Sequence, residues 1–180
     1  MRDDRIAEYY RRTWGSPVRE AEFTSLDFAV EIGKWDAAAT GQGVTIYATN
    51  GVAARSTDPS HADELLLGVV PEYDEAVAAL ADLSAEVGRA ARPVEHGATW
   101  RFDEPLWPGT AMDSFVALRQ QRVLAPLVLP SGTHLEFKQV LPLYRSEAEF
   151  AIAQGVAALM RQFKELTVPF WTLDRAAASF

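Results

Sequence analysis

The sequence predicts an α+β fold in which a mixed, mainly antiparallel β-sheet packs against helices. Three observations predict it. Strand-type alternation with period two runs through Phe28, Val30 and Ile32, through Val44, Ile46 and Ala48, and through Thr133, Leu135, Phe137, Gln139 and Leu141. Apolar residues recur at steps of three and four at Tyr73, Val77, Leu80, Leu83 and Val87, and again from Ile152 to Phe163. The 180 residues, 48% hydrophobic and 23% charged, suffice for one sizeable core and are cramped for two, so residues 1–180 are expected to form a single domain.

Taken in order, Ile6, Tyr9, Tyr10, Thr13 and Trp14 fall near helical spacing until Gly15-Ser16-Pro17 stops them. The strands around Val30 and Ile46 are joined by the small-residue link 36–43 and read as an antiparallel pair, closed by the Asn50-Gly51 turn. Residues 53–63 are polar, carry Pro59 and read as a surface loop leading into a buried strand over 65–70, which Pro71 ends. The helix over 73–87 stops at Gly88 and Pro93. Strand formers broken by Pro and Gly follow at 98–102, 115–119 and 122–129, with a turn at 105–109. The alternation at 133–141 follows the Pro130-Ser131-Gly132 turn. Ser146 and Glu149 have the spacing of a capping box, so a helix is expected to start there, with Ile152, Val156, Leu159, Met160 and Phe163 on its inner face. Gly155 interrupts that helix, and a close approach to another backbone is the expected reason. The tail, with Phe170, Trp171 and Phe180, is expected to fold back over an apolar surface.

Charge and composition remove several functions. Seventeen basic against 25 acidic residues give a net charge of −8, which repels nucleic acid and anionic membranes. The N-terminal arginines Arg2, Arg5, Arg11, Arg12 and Arg19 are interleaved with Asp3, Asp4, Glu8 and Glu20, so their field largely cancels. The absence of cysteine excludes disulfides, thiolate catalysis and thiolate metal sites. With no secretory h-region and no membrane-length apolar run, the cytoplasm is the expected compartment.

Signals for chemistry are weak. His61 has Asp58, Asp63 and Glu64 around it, but no motif supplies three preordered ligands, so neither a metal nor another cofactor is expected. His96 and His134 sit beside glycine-containing turns and read as surface donors. No nucleophile elbow and no phosphate-binding glycine loop is present. Asp27 and Glu31 share a strand face and have the makings of a carboxylate pair, though an outward polar face is the plainer reading. Trp35, Trp100 and Trp107 stand at strand ends or turns, where a ring either seals a core edge or anchors a partner.

Four segments in order are similar to the Suppressor of fused family: 45–52, an aliphatic strand ending near Asn50-Gly51; 62–71, with Ala62 and Glu64-Leu65 running to Pro71; the Leu106-Trp107-Pro108 turn; and 135–159, where a strand runs through Pro142 into Glu147, Gly155 and Leu159. Asn50 stands where the family often has serine and Val52 where methionine is common. The resemblance is to a bacterial single-domain member. It implies an α+β domain without the second half of the two-domain peptide clamp, and a non-enzymatic, protein-binding role. Bacterial relatives act as immunity proteins in polymorphic toxin systems, so the expected partner is a toxin domain. The alternatives are a peptide-binding module that adds a strand to a sheet edge, and a small-molecule enzyme using His61, Asp63 or Glu64. Trp35, Asp36, Thr49, Asn50, Trp107 and Glu147, at turns and strand ends, are the expected partner-binding positions.

Overall fold

The alternating segments assemble into one sheet. A computed structural model of the chain describes residues 3–25, 28–120 and 122–180. Its eight strands are β1 (Arg19–Ser25), β2 (Phe28–Trp35), β3 (Thr45–Asn50), β4 (His61–Val69), β5 (Thr99–Arg101), β6 (Met112–Arg119), β7 (Leu127–Val128) and β8 (His134–Tyr144). They lie in the order β1-β2-β3-β4-β8-β6-β5, with β7 beside the start of β8. Among the described residues, β4 and β8 run parallel and the other pairs antiparallel, so the mixed, mainly antiparallel α+β architecture is as expected.

Strand alternation sorts the core onto two faces. Leu65, Leu67 and Val69 of β4 join Ile32, Tyr47, Phe115 and Val140 beneath α3 (Ala76–Ala90), which contributes Ala79, Leu80, Leu83 and Val87. On the opposite face Ile46, Leu66 and Phe137 pack against Ile6, Tyr10 and Trp14 of α1 (Asp4–Trp14). Further along that face Leu118, Leu141 and Leu143 meet α4 (Arg145–Gln154) and α5 (Val156–Glu165) through Ala148, Leu159 and Phe163. Each fully buried Leu or Phe side chain contributes roughly 1.5–3 kcal/mol, which explains why these four helices lie against the sheet. Among the described residues no helix is long and apolar enough to cross a membrane.

Several local expectations change. Strand β1 is new: its Arg-Glu-Ala-Glu-Phe-Thr-Ser sequence shows little apolar alternation because an edge strand here buries only one side, through Ala21 and Phe23 opposite Ile32 and Val30. The 36–43 link contains α2 (Ala37–Thr40), capped by Asp36. The 53–63 loop is shorter than expected, since β4 already begins at His61 and pairs with β8 from His134 onward. The 122–129 segment contributes only the two residues of β7. The cap of α4 is Tyr144 in place of Ser146, two residues early, and the glutamate that reaches back is Glu147 in place of Glu149, accepting from the Tyr144 N–H at 3.0 Å. Gly155 separates α4 from α5 with φ 84°, and a Cβ there would meet nothing within 4 Å. Its left-handed backbone, not a close approach, calls for glycine. Arg2 and Asp27 lie outside the described residues.

Candidate functional site

The acidic residues that the sequence offers for chemistry are buried and engaged. Glu64 is fully buried where β3 and β4 part. Its Oε2 accepts from the Thr49 hydroxyl at 2.5 Å and the Val52 N–H at 3.3 Å; its Oε1 accepts from the N–H groups of Gly51 and Ala53 at 2.8 and 3.0 Å. The Leu65 N–H in turn donates to the Thr49 hydroxyl at 2.8 Å. Burial raises the Glu64 carboxyl above its ordinary range, and these donors pull against that shift. Glu64 therefore acts as a hub that closes the 51–53 turn. A wide cleft of about 630 Å³ opens above it, lined by Asp3, Asp4, Arg5, Asn50 and Asp58.

Asp63 lies on the other side of the same strand. Its Oδ2 accepts from the Val94 N–H at 2.7 Å, while Oδ1 lies 3.1 Å from His61 Nε2 and 3.4 Å from Lys138 Nζ. Lys138, only 2% exposed, also donates to Glu136 at 2.5 Å and holds that carboxyl below its usual range. His61, Asp63 and Glu136 bring ligand-type atoms within 4.8 Å of one another. The donor set alone suits a divalent cation, but the Lys138 ammonium already supplies the positive charge in their midst. The sequence signal for Lys138 was available: a lysine between Phe137 and Gln139 in a strand buried on both faces must find a carboxylate.

Glu147 is matched by a residue that no motif flagged. Arg175 donates to both its oxygens at 2.6 Å, and neither side chain is more than 1% exposed. The pair ties the C-terminal tail to α4.

The remaining expected partner positions mostly face inward. Trp35 is buried, stacked over Gly33, and donates Nε1 to the Gly15 carbonyl at 2.9 Å. The Thr49 carbonyl accepts from Tyr10 at 2.8 Å. Asn50 exchanges two hydrogen bonds with the Asp3 backbone, at 2.9 and 3.0 Å, and so fixes the start of α1. Trp107 is buried beside Tyr73. Of the six expected positions, Asp36 alone is exposed, and it caps α2 through the Ala39 N–H at 2.8 Å.

Surface available to a partner lies elsewhere. Trp171, 41% exposed, borders a groove of about 380 Å³ lined by Val44, Ile46, Leu66 and Val123. Among the described residues β1 pairs with β2 only, so the outer side of β1 is a free sheet edge. Beside that edge, Ala21, Phe23, Ile32 and Val77 line an apolar slot of about 130 Å³. A polar knot closes one end of the slot: Arg19 and Lys34 donate to Asp74 at 2.8 and 2.7 Å, Tyr47 at 3.2 Å, and Lys34 also reaches Glu72 at 2.5 Å. The Lys34 bond holds Asp74 below its usual range, whereas burial and the Asp74 charge push the Tyr47 hydroxyl up.

The family model described as Suppressor of fused protein (SUFU) matches residues 25–176. The chain belongs to the Suppressor of fused family. Its fold is that of the SUFU homologue from Neisseria gonorrhoeae FA 1090, with a TM-score of 0.73 at 15% identity, covering 98% of this chain and 96% of that one. The Sufu–Fu complex structure gives a TM-score of 0.67 at 12% identity over 97% of this chain and 89% of that one. Drosophila Suppressor of Fused gives 0.64 at 12% identity, and this SUFU-family chain spans 49% of its length. A search of curated proteins returns no match.

Proposed function

We propose that this SUFU-family chain is a non-enzymatic protein-binding domain that neutralises a cognate toxin. The observation that carries the reading is the state of its buried carboxylates. Glu64 holds four donors, Asp63 is engaged by Val94, His61 and Lys138, and Glu147 is saturated by Arg175, Tyr144 and Ala178. Groups committed in this way build structure and are poorly placed to move protons for a substrate. A net charge of −8 favours a basic partner, with carboxylates steering encounter and apolar surface supplying the central burial. The Sufu–Fu complex, a protein assembly with the same fold, is consistent with this reading.

The test is capture of partners by the tagged protein from its native cells at low and high salt, followed by co-expression of the captured protein with and without this chain. A single stoichiometric partner that is lost at high salt, and whose toxicity the chain relieves, is expected. A partner that is harmless alone overturns the toxin assignment. Catalytic turnover abolished by replacing His61 or Asp63 in a folded protein overturns the non-enzymatic one.

A second reading, peptide capture by strand addition, is favoured by the free edge of β1.

A further inference from the structure

We infer that the groove beside Trp171 is a binding site for an uncharged, flat heteroaromatic lactam, held by the Gln139 carboxamide. This goes beyond the protein-binding reading above and does not depend on it. Along β8, Leu135, Phe137, Gln139, Leu141 and Leu143 project to one face of the sheet, and the four apolar members are at most 2% exposed. Leu66 of β4 and Leu118 of β6 flank Gln139 on either side. A glutamine thus stands at the centre of a cross of apolar side chains, where the cluster under α1 gives way to the one under α4 and α5.

An amide in such surroundings costs free energy unless its hydrogen-bonding groups are matched. Glu64, on the same face of β4, is matched by four donors. Gln139 is not: among the described residues no hydrogen bond engages its side chain, which is half-buried and lines the groove of about 380 Å³.

The walls decide what that amide can meet. None of the residues lining the groove is charged, so an ion entering it would lose hydration without compensation. Trp171, 41% exposed, offers an indole to a flat π-system. Its backbone is pinned to the sheet, because the Val70 N–H donates to the Trp171 carbonyl at 2.9 Å and the Leu173 N–H donates to the Val70 carbonyl at 3.2 Å. Phe170 braces the indole edge-on at 4.7 Å. A carboxamide presents an acceptor and a donor side by side, and its complement is an N–H next to a C=O on one ring edge. Gln139 Oε1 accepts from the N–H of such a lactam while Nε2 donates to its carbonyl. The volume lies within the range of small-ligand sites and accommodates a two-ring heterocycle.

The test uses the full chain with isoquinolinone and with its N-methyl derivative, which keeps the rings and the carbonyl but lacks the N–H. Affinity comes from calorimetry and location from backbone amide shifts in NMR spectra. Wild type is expected to bind isoquinolinone, to shift the amides of Ile46, Leu66 and Gln139, and to prefer it about tenfold over the methylated compound. Gln139→Leu should hold or raise the melting temperature, since no bond within the protein is lost, and should erase that preference. Trp171→Ala should weaken both compounds about fivefold. Absent shifts at the groove, a preference that survives Gln139→Leu, or a clear fall in that variant's melting temperature overturns the inference, the last because the amide would then serve the fold. A native protein partner that covers the groove while isoquinolinone fails to bind also overturns it and leaves the protein-binding reading standing.

Discussion

Arg175 and Glu147 form a two-pronged buried ion pair, Nη1 to Oε1 and Nη2 to Oε2, each 2.6 Å. The guanidinium lies 5.2 Å from the Tyr144 ring centre and 5.3 Å from that of Phe163, and also donates to the Pro142 carbonyl at 3.2 Å. The Ala178 N–H donates to Glu147 at 2.9 Å, and the Tyr144 hydroxyl donates to the Arg175 carbonyl. Beyond it, Phe180 stacks on Phe150 at 4.3 Å. The tail is therefore part of the folded body, held at its midpoint by charge.

Removing one member strands the other. Arg175→Met is expected to cost about 3–5 kcal/mol, because Glu147 keeps its charge without a counterion in a dry site. The double variant Arg175→Met with Glu147→Met should recover much of that loss. Urea unfolding of both variants checks the prediction, and equal losses in the two would refute it.

Lys138 supplies the charge around which His61, Asp63 and Glu136 gather. Replacing it with alanine should destabilise the protein and at the same time free a three-ligand cation site. Thermal melts with and without zinc are the measurement. Zinc should raise the melting temperature of Lys138→Ala and leave that of wild type unchanged, since the ammonium bars the ion.

Glu64 is the common acceptor for Thr49, Gly51, Val52 and Ala53. Glu64→Ala orphans these donors and should cost about 3–5 kcal/mol. Glu64→Gln keeps one acceptor oxygen and should cost less. Hydrogen exchange of the Gly51 and Ala53 amides should accelerate in the alanine variant well before global unfolding.

The pH dependence follows from opposing shifts. Asp74 and Glu136 are held below their ordinary values of 3.8 and 4.5 by Lys34 and Lys138, so the folded state releases their protons first. Their stabilising contribution is complete above those values and is lost as pH falls through the lowered ones. Glu64 is raised above 4.5 by burial, so its contribution declines as pH rises from 4.5 through the raised value. Asp74→Asn should flatten the acid limb of the stability curve, and Glu64→Gln should flatten the decline on its other side. Chemical denaturation across this range reads both limbs.

Period two at β2, β3 and β8 and period 3.6 at α3 and α5 were legible because each element sets one apolar stripe against a core. Strand β1 was not, because an edge strand that buries only Ala21 and Phe23 on one side leaves no such stripe. Gly33 shows the same limit at a single residue. Its alternation with Ile32 is readable, but only the fold reveals that a Cβ there would come within 2.5 Å of the Trp35 ring.

By itself the sequence determined the α+β class, the two main helical faces, the lack of thiol chemistry and the acidic charge that limits partners. These depend on local periodicity and composition, which neighbouring residues express without help from the rest of the chain. Only the tertiary structure decided that Trp35, Thr49, Asn50, Trp107 and Glu147 serve the interior, that Lys138 fills the one acidic cluster resembling a metal site among the described residues, and that β1 is left as an open edge. Those outcomes depend on pairs such as Asp63 with Lys138 and Glu147 with Arg175, whose members lie far apart in the chain. Whether a charge is buried, matched or free is set by what folding brings beside it.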